Sequence, residues 1–483
     1  MNHKIVSYMV GRILHIEALL LLLPLTVSLI YKEKCSLAFL ITILIAIAVG
    51  VLLTKLFGKN DKMLFAKEGF AIVALAWIAM SMIGALPFYI SKEIPSYVDA
   101  FFETVSGFTT TGASILPEVE SLSHGLLFWR SFTHWIGGMG VLVFVMAIFP
   151  QESGRSIHIM RAEMPGPSVG KLVPRIKETA KLLYIIYIVM TAIQIILLLV
   201  GGMPLFDSVL HAFGTAGTGG FGIKNDSIAS YNSYLQWVIA IFMLLFGVNF
   251  NLYYLILIKR FKSAIKSTEL WVYLGIIAVS TALISSNIYD ISGSLSETIR
   301  TSFFQVSSII TTTGFATADF NLWPNLSKMI LVILMFVGAC AGSTGGGIKV
   351  SRIIIAIKTI FKDIKRMLHP RAVGSVKFEG KAIDTQTTNG VSMYFAIYFI
   401  LFFVILFLLS FETGEAFDFE TNFTAVTACF NNIGPGLAGV GPASNFGAYS
   451  NFSKIVLSIA MLLGRLEIFP ILLVFTPVFW KRK

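Results

Sequence analysis

Apolar residues in this chain come in continuous runs of about 20, separated by short polar stretches. A helix of that length crosses a hydrocarbon core about 30 Å thick. The strict alternation of a transmembrane β-barrel is missing. The pattern predicts spanning helices at about 10–31, 36–57, 69–91, 125–149, 182–201, 234–259, 269–289, 325–357, 391–411 and 453–480. Four shorter apolar segments, about 96–108, 204–216, 297–310 and 419–430, lie between the third and fourth, fifth and sixth, seventh and eighth, and ninth and tenth of these. At about 1.5 Å per residue none of the four can cross. Each is expected to enter the membrane as a re-entrant half-helix. The fold class is therefore an all-α polytopic membrane protein, with ten transmembrane helices and four hairpins that carry re-entrant pore segments in a pseudo-four-fold arrangement.

A glycine-centred signature follows each short segment: TTTGAS at 109–114, GTGGFG at 217–222, TTTGFA at 311–316 and NNIGPG at 431–436. With Gly112, Gly220, Gly314 and Gly434 aligned, Phe101, Val209, Phe303 and Phe423 stand eleven residues upstream. Thirteen upstream stand Asp99, Asp207, Thr301 and Thr421, small polar residues suited to cap a helix start. The helix after each signature also shares a glycine: Gly137, Gly247, Gly338 and Gly464. Such internal similarity is what transport proteins built from repeats retain. Backbone carbonyls converging from four loops can replace the hydration shell of a cation, and the half-helix C-termini beside them carry partial negative charge. The candidate cation ligands are Thr110, Thr111 and Gly112; Thr218, Gly219 and Gly220; Thr312, Thr313 and Gly314; and Asn432, Ile433 and Gly434. The alternative, that these glycines serve only helix packing, does not explain why each sits between a half-length segment and a full one.

Composition narrows the class further. Hydrophobic residues make up 56% of the 483, charged residues only 13%, whereas soluble domains are about a quarter charged. Three scattered cysteines, Cys35, Cys340 and Cys429, give neither a disulfide framework nor metal-ligand spacing. The first apolar stretch has no small-residue cleavage pattern after it and is expected to be retained. The net charge of +11 comes from loops: Lys55, Lys59, Lys62 and Lys67; Arg155 to Lys181; Lys259 to Lys266; Lys358 to Lys381; and the final Lys481, Arg482 and Lys483. These fall on one side only if the four short segments re-enter from the other. The positive-inside rule then makes both termini cytoplasmic and turns the signatures outward, beside Glu118, Glu120, Glu412, Glu415 and Asp418.

Two further features bear on control. The eighth helix contains GACAGSTGGGIKV at 338–350. Gly342, Ser343, Thr344, Gly345, Gly346 and Gly347 should break it, giving either a movable intramembrane gate or a packed kink. It lacks the full phosphate-loop pattern and follows no strand. Arg465 lies about a dozen residues into the tenth helix, where an unpartnered charge is costly. It either faces the pore as an electrostatic barrier or forms a structural salt bridge, with Glu467 through relayed contacts or with a carboxylate on another helix; Lys349 could act as a similar barrier. His134 and His211 are expected to be buried core histidines, and Arg130 an anchor at the outer interface. Neither a pair of carboxylates, a His/Cys metal cluster nor a nucleophile triad is evident in the membrane core, which argues against an enzyme and against a pump built on intramembrane acids.

The motifs TTTGAS, HWIGGMG at 134–140, TTTGFAT at 311–317, AGSTGGGIK at 341–349, NNIGPG and LLGRLEIFP at 462–470 together resemble the Trk/Ktr/HKT superfamily of potassium transporters, over nearly the whole chain and on its TrkH branch. The resemblance implies two additional N-terminal helices at 1–66 and pore repeats at 67–155, 156–266, 267–381 and 382–483. It implies K+ as the transported ion with no organic cofactor on this chain, an intramembrane gate in the third repeat, a pore arginine in the fourth, a homodimer, and a cytosolic nucleotide-binding ring subunit (TrkA-like). The function expected is K+ uptake across a bacterial inner membrane. The alternatives are a symporter coupled to Na+ or H+, a conduit that discriminates less between K+ and Na+ because GTGG and NNIG depart from TTTG, and a membrane enzyme or receptor with a non-conducting bundle.

Overall fold

The computed structural model describes residues 2–58, 66–140, 176–370 and 374–480. The chain opens with α1 (His3–Leu20) and α2 (Leu22–Ile30), one continuous path with a slight break where Pro24 cannot donate back to Leu20. After α3 (Ser36–Phe57) come α4 (Ala66–Gly84) and α5 (Leu86–Ile90), divided ahead of Pro87. The first short segment is α6 (Tyr97–Phe108), followed by α7 (His124–Gly138). The second set is α8 (Ile176–Val200), short α9 (Leu205–Ala216), α10 (Ser233–Phe246), α11 (Phe250–Leu257) and α12 (Phe261–Ile265). The third is α13 (Thr268–Ser292), short α14 (Leu295–Ile310), α15 (Asn325–Val337) and α16 (Val350–Leu368). A hairpin of β1 (Lys377–Phe378) and β2 (Lys381–Ala382) leads into α17 (Thr385–Leu409), short α18 (Phe419–Phe430), α19 (Asn451–Arg465), α20 (Phe469–Phe475) and α21 (Pro477–Trp480).

Among the described residues, six paths are long and apolar enough to cross a membrane: His3–Ile30, Ser36–Phe57, Lys67–Ile90, Lys181–Val200, Thr268–Ile291 and Thr385–Leu409. Their outer faces expose large apolar side chains, such as Leu37, Leu44 and Leu52 on α3 and Ile400, Phe403 and Phe407 on α17. Lipid takes the place of a protein core against such faces. The sixth expected helix is not continuous: α10 and α11 meet at 89°. The eighth stops at Val337 and resumes at Val350, and the tenth is interrupted at Leu466–Ile468, where Glu467 and Ile468 both have positive φ. The fourth ends at Gly138, with Gly140 at positive φ, short of the expected 149; residues 141–149 lie outside the described residues, as do Lys59, Lys62, Arg155, Arg161, Lys171, Arg175 and the last three residues.

The expected helix caps stand one turn too far along. Ser96, Ser294 and Asp418 cap α6, α14 and α18 by accepting from the N–H groups of Asp99, Glu297 and Thr421, and α9 starts after Pro204 without a side-chain cap. Asp99, Asp207 and Thr421 are third residues of their helices, where an acidic group favours the positive end of the dipole, and Thr301 lies deeper inside α14. Among the described residues the apolar interior forms three clusters. The largest joins α1–α5 to the first and last sets of helices, the second surrounds α13–α15, and the third surrounds α8–α10.

Candidate functional site

Each short helix ends in the same way. The N–H groups of Thr111, Gly219, Thr313 and Ile433 donate back to the carbonyls of Ser106, Gly214, Ser308 and Ala428 at 2.8–2.9 Å. The residues before them, Thr110, Thr218, Thr312 and Asn432, donate to Gly107, Thr215, Ile309 and Cys429 at 3.0–3.3 Å. This double bond pattern is a Schellman cap, which needs a left-handed residue at the turn. Glycine usually fills that place. Here Thr110, Thr218, Thr312 and Asn432 fill it, with φ of 54–59°. A β-branched residue in that region costs about 1–3 kcal/mol and persists only where its surroundings fix it. The sequence pattern assigned unusual backbone angles to the glycines and missed those of the residues two before them. The available signal was the polar residue, Thr three times and Asn once, at that register.

Past these caps the four loops close on one another. Gly112, Gly220, Gly314 and Gly434 have φ between 74° and 100°. A Cβ on Gly112 would fall within 3.0 Å of the Gly219 carbonyl oxygen, one on Gly220 within that distance of Thr313 O, one on Gly314 within it of Ile433 O, and one on Gly434 at 2.8 Å from Thr111 O. First meets second, second meets third, third meets fourth and fourth meets first. Four carbonyl oxygens, one from each loop, thus stand in a closed cycle with no room for a side chain between neighbours. Eight of the twelve residues expected as cation ligands make these contacts, and the other four, Thr110, Thr218, Thr312 and Asn432, are the cap residues immediately before them.

The glycine ends of the loops open on a cavity of about 140 Å³ that Gly112, Gly220, Gly314 and Gly434 all line. A smaller cavity of about 60 Å³ adjoins the break at 338–349; Gly345, Gly346, Lys349, Gly138, Gly464 and Arg465 are among its walls. The break is stitched to its surroundings over its whole length. Cys340 N–H donates to Gly247 O at 3.1 Å, Thr344 Oγ1 to Phe246 O at 3.2 Å, and Phe250 N–H to Gly342 O at 3.0 Å. The bend between α10 and α11, which the sequence pattern did not predict, therefore serves as the other half of the break: its freed backbone groups pair with those of residues 340–344. Farther on, Gly346 N–H donates to Thr312 Oγ1 at 2.6 Å and Gly347 N–H to Asn431 O at 3.1 Å. Glu269, at the start of α13, accepts from Ala341 N–H at 2.7 Å and Ser351 N–H at 3.1 Å, so one carboxylate holds both ends.

Arg465 is the last residue of α19. It donates to Thr344 O at 2.8 Å, to Gly138 O at 2.8 Å and to Gly137 O. It thus lines the small cavity and also clamps the break against α7. Glu467 is engaged elsewhere, by the Arg352 guanidinium. Lys349, with 2% of its surface exposed, donates to Gly345 O, so its charge is turned onto the break itself.

Behind the ring, Arg130 is buried and not an interfacial anchor. Its Nε donates to Glu103 at 2.6 Å, its Nη1 to Gly222 O at 2.8 Å, and its guanidinium lies 3.5 Å from the Phe221 ring centre. Glu103 also accepts from Ser114 Oγ and Ile115 N–H, so the pair ties the first loop to the second. Lys454 pairs with Asp99 at 2.6 Å across the fourth and first sets. His134 is buried with its Nδ1 2.9 Å from Gly107 O, its backbone carbonyl against Gly217 and its ring against Gly219, and Nε2 has no hydrogen-bond partner among the described residues. His211 is likewise buried, Nδ1 2.8 Å from Asp207 O. Acidic side chains are present in the core, contrary to expectation: besides Glu103, Glu17 on α1 is fully buried, and neither of its oxygens has a hydrogen-bond partner among the described residues. Glu17 falls inside an apolar run whose mean hydropathy hides a single acid. Two of the glycines shared by the following helices have a common use, Gly137 lying against Phe108 O and Gly464 against Phe430 O.

A family profile described as TrkH, cation transport protein, matches residues 35–274 and again 265–482. The chain is 38% identical over 491 residues to the Trk system potassium uptake protein TrkH of Salmonella typhimurium, covering all of both chains. It is 36% identical to the Trk system potassium uptake protein TrkG of Escherichia coli, covering 99% of each. The crystal structure of the potassium transporter TrkH from Vibrio parahaemolyticus superimposes with a TM-score of 0.87 at 32% identity, covering all of both chains.

Proposed function

This chain belongs to the TrkH family of cation transport proteins, and we propose that it takes up K+ across the bacterial inner membrane through the ring of four loops. The observation that carries this reading is the cyclic approach of Gly112 to Gly219 O, Gly220 to Thr313 O, Gly314 to Ile433 O and Gly434 to Thr111 O. Carbonyls in a closed cycle can substitute for water around a monovalent cation. The relatives named as potassium uptake proteins over their full length give the ion.

In this reading ten helical paths span the bilayer, and the four short helices enter from the outside and return. The pore repeats run over 67–155, 156–266, 267–381 and 382–483, after the N-terminal pair. Both termini are cytoplasmic. Residues 342–347 and Lys349 close the path below the ring, and Arg465 adds a positive charge to the same constriction. At a few ångströms and an intermediate effective dielectric, one such charge opposes a passing cation by roughly a few kcal/mol. The clamp on Thr344 and the barrier to cations are one arrangement, because the group that repels the ion also fixes the obstruction. The chain acts as a homodimer under a cytosolic nucleotide-binding ring subunit of the TrkA type.

Zero-current potentials of the full chain in liposomes test this. The potential should follow the K+ gradient and respond weakly to Na+. A potential that shifts with a Na+ or H+ gradient at fixed K+, in the proportion set by a coupled cycle, would replace the conduit with a symporter.

A further inference from the structure

The four positions that cap the short helices are equivalent in backbone but not in what their side chains do. Thr110 Oγ1 is buried without a hydrogen-bond partner among the described residues. Thr218 Oγ1 bonds to the carbonyl of the residue before it, Gly217, at 2.6 Å. Asn432 Nδ2 donates to Thr111 Oγ1 and to Met461 O, both at 2.9 Å. Only Thr312 of the four receives a bond from the glycine-rich break, through Gly346 N–H at 2.6 Å. One residue farther along the break, Gly347 N–H reaches Asn431 O, in the loop of the fourth set. The first two loops lean on a different support, His134, whose backbone carbonyl lies against Gly217 and whose ring lies against Gly219 and bonds Gly107 O.

We propose that the glycine-rich break is a strut of the cation ring as well as its obstruction, and that the Thr312 hydroxyl is the positioning group through which the two are coupled. This rests on the reading of the ring as a K+ filter. When residues 342–347 withdraw to let an ion pass, the third and fourth loops each lose a bond that fixes their height and tilt, while the first and second keep theirs. The Gly346–Thr312 bond is buried and the Gly347–Asn431 bond partly so, so only another protein group or entering water can replace them. A ring held on all four sides keeps its carbonyls at the separation a large cation needs. A ring released on two sides can contract around a smaller one. The coupling is reciprocal by thermodynamic necessity: a cation that fits the supported ring must favour the seated break. K+ should therefore slow the movement of the break, and Na+ should do so less.

Cys340 provides a native reporter. It is fully buried within the break, and its backbone is bonded to Gly247, so a small thiol reagent reaches it only when the break moves. Peptide mapping separates it from Cys35 and Cys429, which report general opening of the fold. Alkylation would be followed on the purified full chain in matched KCl and NaCl, with thermal midpoints measured on the same samples. K+ should slow modification of Cys340 by about fivefold or more relative to Na+, the lower end of ordinary coupling between two sites, without slowing that of Cys35. Thr312→Val and Thr312→Ala, two hydroxyl-free variants that differ in how they tolerate the left-handed backbone, should abolish the difference between cations. Thr312→Ser should restore it. Equal rates for Cys340 in K+ and Na+, with a higher thermal midpoint in K+, would overturn the strut while leaving the filter in place. No K+-specific change in either measurement would overturn both. A K+ effect that survives in both hydroxyl-free variants would overturn the role given to Thr312.

Discussion

The Arg465 guanidinium donates to the Thr344 carbonyl at 2.8 Å, so the end of α19 is fastened to the middle of the break in the eighth helix. The same side chain reaches Gly137 and Gly138 on α7. One residue therefore joins the first, third and fourth sets of helices below the ring. Arg465→Ala should remove both the fastening and the charge. Basal K+ flux per folded protein should rise several-fold, while stability falls by about 1–3 kcal/mol from unpaired buried carbonyls. Arg465→Lys should keep much of the charge and less of the fastening, because an ammonium cannot hold three carbonyls in the guanidinium's plane. Flux and thermal midpoint on the same preparations decide it; lost stability with no gain in flux would return Arg465 to a purely structural role.

Gly112→Ser places a side chain against Gly219 O on a backbone with φ of +83°. The strained backbone costs about 1–3 kcal/mol, which a chain of this size can absorb. The expected result is a folded protein in which preference for K+ over Na+ falls sharply. Competition of Na+ with K+ uptake in liposomes measures it, and wild-type discrimination in this variant would remove Gly112 from the filter.

Glu103 and Arg130 test the support behind the ring. Arg130→Leu leaves the Glu103 carboxylate buried without its cation and should cost about 3–5 kcal/mol. The double change Arg130→Leu with Glu103→Leu should recover a good part of that loss, and the coupling read from the double-mutant cycle should exceed 1 kcal/mol in order of magnitude. Additive effects in thermal or denaturant unfolding would show that the pair does not act as a unit.

Glu269→Ala should free Ala341 N–H and Ser351 N–H together, unfastening both ends of the break at once. Glu269 is itself held from the β hairpin: Glu379 accepts from Ser267 Oγ and Glu269 N–H at 3.1 Å. Glu379→Ala should therefore produce the same rise in basal flux in weaker form. Shortening the break within 342–347 should also raise flux, but with Glu269 in place. Unchanged flux in all three variants would leave the break as packing alone.

The sequence by itself determined the placing of several apolar segments. The bounds of α3, α6, α9 and α18 fall within a residue or two of those read from hydropathy, because a segment that faces lipid has no choice but to be apolar throughout and helical. It also determined the register of the four signatures, since only certain residues tolerate the backbone angles of a loop so tightly packed. It did not reveal the bend at 247–249, where GVNF breaks a helix with no proline and a single glycine, nor the left-handed threonines, nor the burial of Arg130. The bend, Thr312 among the threonines, and Arg130 depend on partners more than 25 residues away in sequence: Gly342, Gly346 and Glu103. A freed backbone group or a buried charge is tolerated only when something distant satisfies it, and that partner is chosen by the tertiary structure. The same holds for Arg465. Its depth in the tenth helix was legible from the chain, but the carbonyls of Thr344, Gly137 and Gly138 came within its reach only when the break of the eighth helix folded against α7.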